Sequence, residues 1–303
     1  MFSIWEVLLQ QVVNGLILGS FYALVALGYS MVYGIVKLLN FAHGDIYMTG
    51  AFVCLSVFGV VGKTLPGWPG IACSVLAAML SSGVLGYLVQ RFAYKPLLGA
   101  PKLSLLITAI GVSLVIYNSV MVITGSHPMF FTSGLDNAAG VQFGGIRITY
   151  IQMILLATSA LLMFGLNFFI GRTMLGKAMR AIALDKDTCS LMGINVNQVI
   201  ATTFIIGSVL AAIAGGMACV YYGNVHYNMG YTIGIKAFTS AVIGGIGSIP
   251  GAMLGGLLLG LLEAIGTQFL GSSWKDVFAF GLLILILILR PTGLMGKSEI
   301  ERM

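Results

Sequence analysis

Three polar side chains that could do chemistry stand within six residues of one another. They are Asn40, His43 and Asp45, in the stretch GIVKLLNFAHGDIYMTGAF that runs from Gly34 to Phe52. An amide, an imidazole and a carboxylate at this spacing could hold a cation, pass a proton or orient a small polar molecule, depending on what surrounds them. They stand just ahead of an apolar run, Ile46 to Val61, and Asp45, with Gly44 relaxing the turn, reads as the N-cap of a helix over that run. Two placements fit. If the helix starts at a membrane surface, the three side chains are solvated and capping accounts for them. If it starts inside the bilayer, it is a discontinuous helix whose positive N-terminal end is aimed at a cavity. A fourth candidate, Glu263, lies inside an apolar arm. Both a hydrogen-bonded structural carboxylate and a direct part in moving a solute are open to it, because charge at such a place is costly.

Other chemistry is absent from the sequence. Gly171 to Ala178, GRTMLGKA, follows the phosphate-loop pattern up to its last position, where Ala178 stands in place of the hydroxyl that would bind magnesium. What precedes it is an apolar helix and not a strand, so nucleotide binding is not expected in this chain. His43, His127 and His226 are scattered, and no nucleophile-and-base or paired-carboxylate arrangement appears. The chain therefore reads as no enzyme, with no metal and no cofactor of its own. Cys54, Cys73, Cys189 and Cys219 form no CxxC pair and read as small core residues.

The elements that must position these residues are membrane elements. Of 303 residues, 58% are hydrophobic and 8% charged, where a soluble domain has roughly a quarter charged, and the mean hydropathy is +1.02. The fold class expected is an all-α integral membrane protein, a polytopic bundle of about 8–9 transmembrane segments with broken or re-entrant helices, in one domain over residues 1–303. The net charge of +6 is spread over loop ends without a Lys/Arg stripe, which argues against nucleic acid. The N-terminus has no basic region and no cleavage site, so the first apolar block is expected to be retained as a helix.

Spans are predicted over about Val7–Tyr33, Ile46–Val61, Ile71–Gln90, Leu103–Thr124, Ile151–Ile170, Val199–Tyr222, two arms within Ile233–Leu270, and Val277–Leu289. The first should break at Gly34, and VGKTLPGWPG, Val61 to Gly70, is turn chemistry. Small residues recur at helical spacing in the first span (Gly15, Gly19, Ala23, Ala26) and in the sixth (Gly207, Ala211, Gly215), as in helices that pack closely in lipid. The two arms flank Gly244-Gly245-Ile246-Gly247-Ser248-Ile249-Pro250-Gly251, a break that neither a straight helix nor a lipid-exposed loop tolerates.

Cationic short loops mark the cytoplasmic face. One orientation puts Lys37, Arg91, Lys95, Lys102, Arg172, Lys177, Arg180, Lys186, Arg290, Lys297 and Arg302 inside, and leaves Lys63, Arg147, Lys236 and Lys275 outside or in between, eleven against four. The long polar connector, 171–197, then lies in the cytoplasm. In it Asp187 reads as the cap of a short helix, Thr188 to Met192, that Gly193 ends. With Leu191 and Met192 exposed, that helix fits a docking element seated in a partner's groove, or equally an interfacial helix lying on lipid.

Resemblance adds to this. Asp187 to Gly193 resembles the loose E-A-A-x-x-x-G signature of ABC importer permeases, with Asp for Glu and Thr-Cys for Ala-Ala. More specifically, NGLILGSFYALVALGYSMVYGIVKLLNFAHGD, then GKAMRAIALDKDTCSLMGINV, then KAFTSAVIGGIGSIPGAMLGGLLLGLLE resemble, in that order, the LivH-type permease subunit of bacterial branched-chain amino acid ABC transporters. The resemblance implies a multi-pass protein of the bacterial cytoplasmic (inner) membrane. Its partners would be a second homologous permease, two cytoplasmic ATPase subunits that hydrolyse the ATP, and a periplasmic solute-binding protein. It implies that Asp187, Thr188, Ser190, Leu191, Met192 and Gly193 receive the ATPase stroke. Asn40, His43 and Asp45 would line the solute path with Gly244, Gly245 and Gly247, and Glu263 is carried as a further candidate. Branched-chain or other neutral amino acids are the expected solutes, with urea or short amides as the alternative within the family. An ion-coupled transporter or channel would want paired intramembrane charges, for which Asp45 and Glu263 are the candidate acids.

Overall fold

Small residues decide which helices lie at the centre. The computed structural model describes residues 4–37, 39–132, 139–143 and 145–296; Lys297 and Arg302, assigned above to the basic face, lie outside the described residues. Helix α1 (Ile4–Val36) packs antiparallel on α10 (Ile249–Leu270). A Cβ added to Gly19 would lie 2.8 Å from Leu257 Cα, and one added to Gly256 2.5 Å from Ala23 Cα. Backbones this close leave room for hydrogen alone, and in lipid such contact replaces the hydrophobic drive between helices. Around α1 stand α2 (His43–Val61), α8 (Val196–Tyr222) and α9 (Met229–Gly244), and α3 (Trp68–Leu88) packs outside them on α2 and α8.

The periphery is apolar in the opposite sense. On α4 (Lys102–Thr124), α5 (Tyr150–Arg172) and α11 (Lys275–Leu289), residues such as Val122, Ile123, Phe164 and Ile288 are exposed, as a lipid-facing shell requires. Among the described residues, eight helices are long and apolar enough to span a membrane; α9, with 16 residues, is an additional shorter one. The chain is a multi-pass all-helical membrane protein.

Several boundaries differ from the sequence expectation. Helix α1 runs through Gly34 to Val36, because Gly34 packs against Gly247 and needs no turn; the chain turns at Lys37, whose φ is 57°. Helix α3 starts within the expected turn, at Trp68, with Pro69 in its first turn, where a missing N–H costs nothing. At its far end it passes into a π-turn, Val89–Tyr94. The segment expected as a loop between α4 and α5 holds β1 (Met129–Phe130), β2 (Gly140–Phe143) and β3 (Ile146–Thr149). Strands β2 and β3 form a hairpin, and β1 pairs with β4 (Asn224–Val225).

The break between the two arms is real. Helix α9 starts earlier than expected, at Met229, and stops at Gly244. Gly245 and Gly247 then take φ of 106° and 89°, and Ser248 caps α10 by accepting from Gly251 N at 3.2 Å. The last carbonyls of α9 are satisfied from a distant part of the chain: Leu294 N donates to Ile243 O and Met295 N to Gly244 O, both at 2.9 Å.

The connector is more helical than its polarity indicates. It holds α6 (Met174–Leu184) and α7 (Lys186–Leu191), and α6 is amphipathic, with Met179 and Ile182 buried. Gly176 and Lys177 stand on this helix, so the phosphate-loop look-alike forms no phosphate-cradling loop.

Candidate functional site

The depth at which α2 begins can be gauged from its neighbours. A Cβ on Gly44 would lie 2.4 Å from the Gly230 carbonyl oxygen and 2.8 Å from Gly234 Cα. Gly234 and Gly230 stand ten and fourteen residues short of the end of α9 at Gly244, so α2 starts about 15–21 Å from that end at 1.5 Å per residue. Helix α8 agrees: a Cβ on Gly207 would lie 3.5 Å from the His43 ring, and Gly207 is eleven residues from Val196, about 16 Å along the axis. With a hydrocarbon core of about 30 Å, the helix begins near mid-depth. It then runs away from the connector, so the start of α1 lies on the face opposite the connector.

The three clustered polar residues separate in their contacts at this point. Helix α2 begins at His43, and Asp45 sits inside its first turn instead of capping it. The Asp45 carboxylate is held by the hydroxyl of Ser113 on α4, which donates to Oδ2. Asn40 turns away and accepts from the Tyr94 hydroxyl at 3.0 Å, which ties the turn after α1 to the end of α3. His43 is buried with its ring edge-on to Tyr29, centroids 5.0 Å apart, and its Nε2 lies where a Cβ of Gly28 would be.

Asp45 lines a cavity that Asn40 and His43 do not border. The space is about 200 Å³ and is walled by Tyr29, Phe41, Ser113, Leu114, Gly230 and Phe238, among others. Asp45 itself is only 3% exposed. The sequence pointed to Asp45 but not to Ser113, whose place on a lipid-side helix carries no signal in its spacing.

Glu263 belongs elsewhere. It is 1% exposed and accepts from the Tyr22 hydroxyl at 2.8 Å and from Lys236 Nζ at 2.8 Å. Lys236, expected outside or in between, lies buried inside the bundle on α9 and reaches Asp276 at 3.2 Å as well. A paired intramembrane charge therefore exists, and its partner is a lysine that the sequence reading had not paired. The pair joins α1, α9, α10 and α11 and takes no part in the lining of the Asp45 cavity. The arrangement is that of a carboxylate with its ligands already supplied.

The glycines of the break lie at the connector's end of the bundle. Gly247 borders a second cavity of about 80 Å³ shared with Gly34 of α1 and with Met179, Arg180 and Ala183 of α6. Gly244 packs against Gly251, and Gly245 lies against the backbone of Met295 and Gly296. The expected path residues are thus not brought to one place: Asp45 lines the mid-depth cavity, the glycine break lies at the connector, Glu263 is held by Tyr22 and Lys236, and Asn40 and His43 pack against Tyr94 and Tyr29.

The connector's tip is built for contact. Asp185, and not Asp187, caps α7: its Oδ1 accepts from Asp187 N at 2.9 Å and Thr188 N at 3.1 Å. Asp185 is two residues earlier than expected because α7 itself begins at Lys186. These hydrogen bonds, the Thr188 hydroxyl's first, hold the Asp185 carboxyl below the usual carboxylate range. Cys189 is buried and anchors the helix inward, while Asp187, Thr188, Ser190 and Gly193 are exposed. Leu191 and Met192 are 88% and 79% exposed. Gly193, φ 81°, ends the helix in the left-handed conformation expected of a C′ glycine. Arg180 secures α6 to α5 by donating to the carbonyls of Ile170 and Gly171. The spacing of Leu175, Met179 and Ile182 was a legible sign of α6, masked by the polarity of the stretch as a whole.

Comparison with known proteins agrees with this architecture. A family model described as branched-chain amino acid transport system / permease component matches residues 11–287. The chain is 46% identical, across 97% of each chain, to the high-affinity branched-chain amino acid transport system permease protein BraD of Pseudomonas aeruginosa. It is 41% identical, again across 97% of each, to the permease protein LivH of the system of the same description in Escherichia coli. A more distant likeness, 24% identical over 92% of this chain and 68% of the relative, is to the Escherichia coli permease protein LivM. The buried seam of small residues, the broken arms and the displayed connector are therefore those of a permease, and the chain belongs to the family of branched-chain amino acid transport system permease components.

Proposed function

We propose that this chain, acting as a single permease domain, is the membrane-spanning subunit of an ATP-driven importer in a bacterial inner membrane, and that it carries branched-chain or other neutral amino acids. The observation that carries the ATP-driven part is the α6–α7 connector: two large apolar side chains, Leu191 and Met192, project from the basic face with nothing among the described residues covering them. An apolar tip on a short capped helix is what a partner's groove requires. With that face in the cytoplasm, the occupants are two ATPase subunits, which bind and hydrolyse the nucleotide, and the opposite face receives a solute-binding protein. LivH and LivM relatives, two permeases of the same-named system in one organism, support pairing with a second, homologous permease.

The route from stroke to path follows the contacts. A push on Leu191 and Met192 moves α7 with α6, because Asp185 closes one helix's end onto the other's start. Helix α6 meets Gly34 and the break at Gly247 around their shared cavity. Beyond the break, α9 runs back to mid-depth and touches α2 through Gly230, Gly234 and Gly44. Rigid helices hinged at glycines can thus pass a displacement from the connector to the wall of the Asp45 cavity and open it alternately to either side.

The test is co-expression of this chain with its neighbouring permease, ATPase and binding-protein genes. Purification through this chain should bring down both ATPases, and the reconstituted assembly should take up leucine with ATP hydrolysis. A chain that purifies without ATPases, or uptake that persists without ATP, overturns the proposal.

A further inference from the structure

Asp45 is a buried carboxylate with an unusual set of neighbours. A hydroxyl, Ser113, holds one of its oxygens, and among the described residues no cationic side chain pairs with it. None lines the cavity it faces either. Glu263, at a comparable burial, is supplied with a lysine and a tyrosine hydroxyl from within the chain. A carboxylate at mid-depth without a counter-charge is costly, and a cavity beside it leaves room for a charge brought from outside.

The walls narrow the chemistry of that visitor. Across from Asp45 the cavity is bounded by Ile110 and Leu114 of α4 and by Ile235 and Phe238 of α9, surfaces that accept an aliphatic or aromatic group and offer a polar one nothing. The first turn of α9, at Gly230 and Tyr231, borders the same space. There the positive end of the helix dipole suits a carboxylate. One anionic side chain, one helix N-terminus and an apolar wall complement the three parts of an aliphatic zwitterionic amino acid.

We propose that this cavity is a solute station within the membrane. Asp45, oriented by Ser113, receives the ammonium group, the start of α9 faces the carboxylate, and the wall of Ile110, Leu114 and Phe238 takes the side chain. This rests on the importer reading above and adds to it a residue that discriminates by charge and a wall that discriminates by size. Affinity here is modest by construction: a single ion pair with limited apolar area lets the solute leave again.

The experiment uses the complete reconstituted importer with radiolabelled leucine and valine. Asp45→Asn should cut leucine uptake by at least about tenfold through loss of a buried charge partner, and Asp45→Glu should restore most of it. Both variants should still bring down the ATPases, since Asp45 does not touch the connector. Leu114→Trp, at a position 55% exposed on the rim of α4, fills the cavity without entering the core. It should raise the valine-to-leucine uptake ratio by about threefold or more, because rejection of one methylene is the kind of selectivity an apolar wall provides. Leucine uptake by Asp45→Asn at the wild-type rate, or an unchanged ratio in Leu114→Trp, overturns the station. A wild-type assembly that carries no aliphatic amino acid at all overturns the importer reading itself, and the station with it.

Discussion

The Lys236–Glu263 pair gives the sharpest test of how this bundle is held together. Lys236 Nζ is 2.8 Å from Glu263 Oε1 and 3.2 Å from Asp276 Oδ1, with side chains 7%, 1% and 71% exposed in that order. Lys236→Met removes the ammonium group and leaves Glu263 with the Tyr22 hydroxyl as its partner in the core. Breaking a buried pair from one side costs about 3–5 kcal/mol, because the remaining charge is uncompensated. At 1.4 kcal/mol per tenfold, the folded-to-unfolded ratio should fall by a hundredfold or more. In Lys236→Met/Glu263→Gln no charge is left, while the amide oxygen still accepts from Tyr22, so at least half of the lost stability should return. Asp276, being largely exposed, is screened and contributes little, and Asp276→Asn should change stability by less than about 1 kcal/mol. The assay is denaturant-driven unfolding of the wild type, these three variants and Glu263→Gln in lipid nanodiscs, followed by tryptophan fluorescence and by monodispersity. Wild-type stability in Lys236→Met would refute the reasoning. So would a double variant whose loss equals the sum of the two single losses, since independent sites add and coupled ones do not.

Three further outcomes are expected. Leu191→Asp or Met192→Asp should weaken ATPase binding by tenfold to a hundredfold in a pull-down titration, because burying one such side chain contributes about 1.5–3 kcal/mol; membrane insertion should be unchanged. Asp185 has its carboxyl held below the ordinary range by hydrogen bonds from Thr188. Its contribution to α7 is therefore complete above the unfolded value of about 3.9 and is lost as pH falls through the lower folded value. Protection of the Asp187 and Thr188 amides from hydrogen exchange, taken against the intrinsic rate at each pH, should be constant near neutral pH and fall only in stronger acid, whereas Asp185→Ala should show little protection throughout. Gly193→Leu meets no atom within 4 Å but must take φ near 81°, a strain of about 1–2 kcal/mol. It should let ATP hydrolysis continue while uptake fails, and normal uptake by that variant would count against a stroke passing through this turn.

Most of the helices were legible because their signal is local: apolar length, small residues every fourth position and a glycine-proline break can each be read without knowing the neighbours. Depth could not be read in this way. Whether Asp45 sits at a surface or at mid-membrane depends on which residue of another helix Gly44 touches, and Gly230 is far away in sequence. The same holds for Lys236 and Glu263, whose pairing exists because two arms fold back at Gly245. Asp187 reads as a cap in place of Asp185 because both are aspartates ahead of a short run, and the backbone at Asp185, extended at φ −155°, distinguishes them. Helix α6 was overlooked for a different reason: Arg and Lys outweigh Leu175, Met179 and Ile182 when a stretch is judged by its average and not by the face each residue occupies.

The strap from Leu294 and Met295 to the end of α9 bears on the order in which the molecule is made. Until residue 295 has left the ribosome, the carbonyls of Ile243 and Gly244 have no donor from this strap, and the hinge beside them has no fixed edge. A chain arrested before α11 would hold nearly every spanning helix in the bilayer, yet with its moving arm unlatched. Biosynthesis thus completes the break last, after the helices packed around it are already in place.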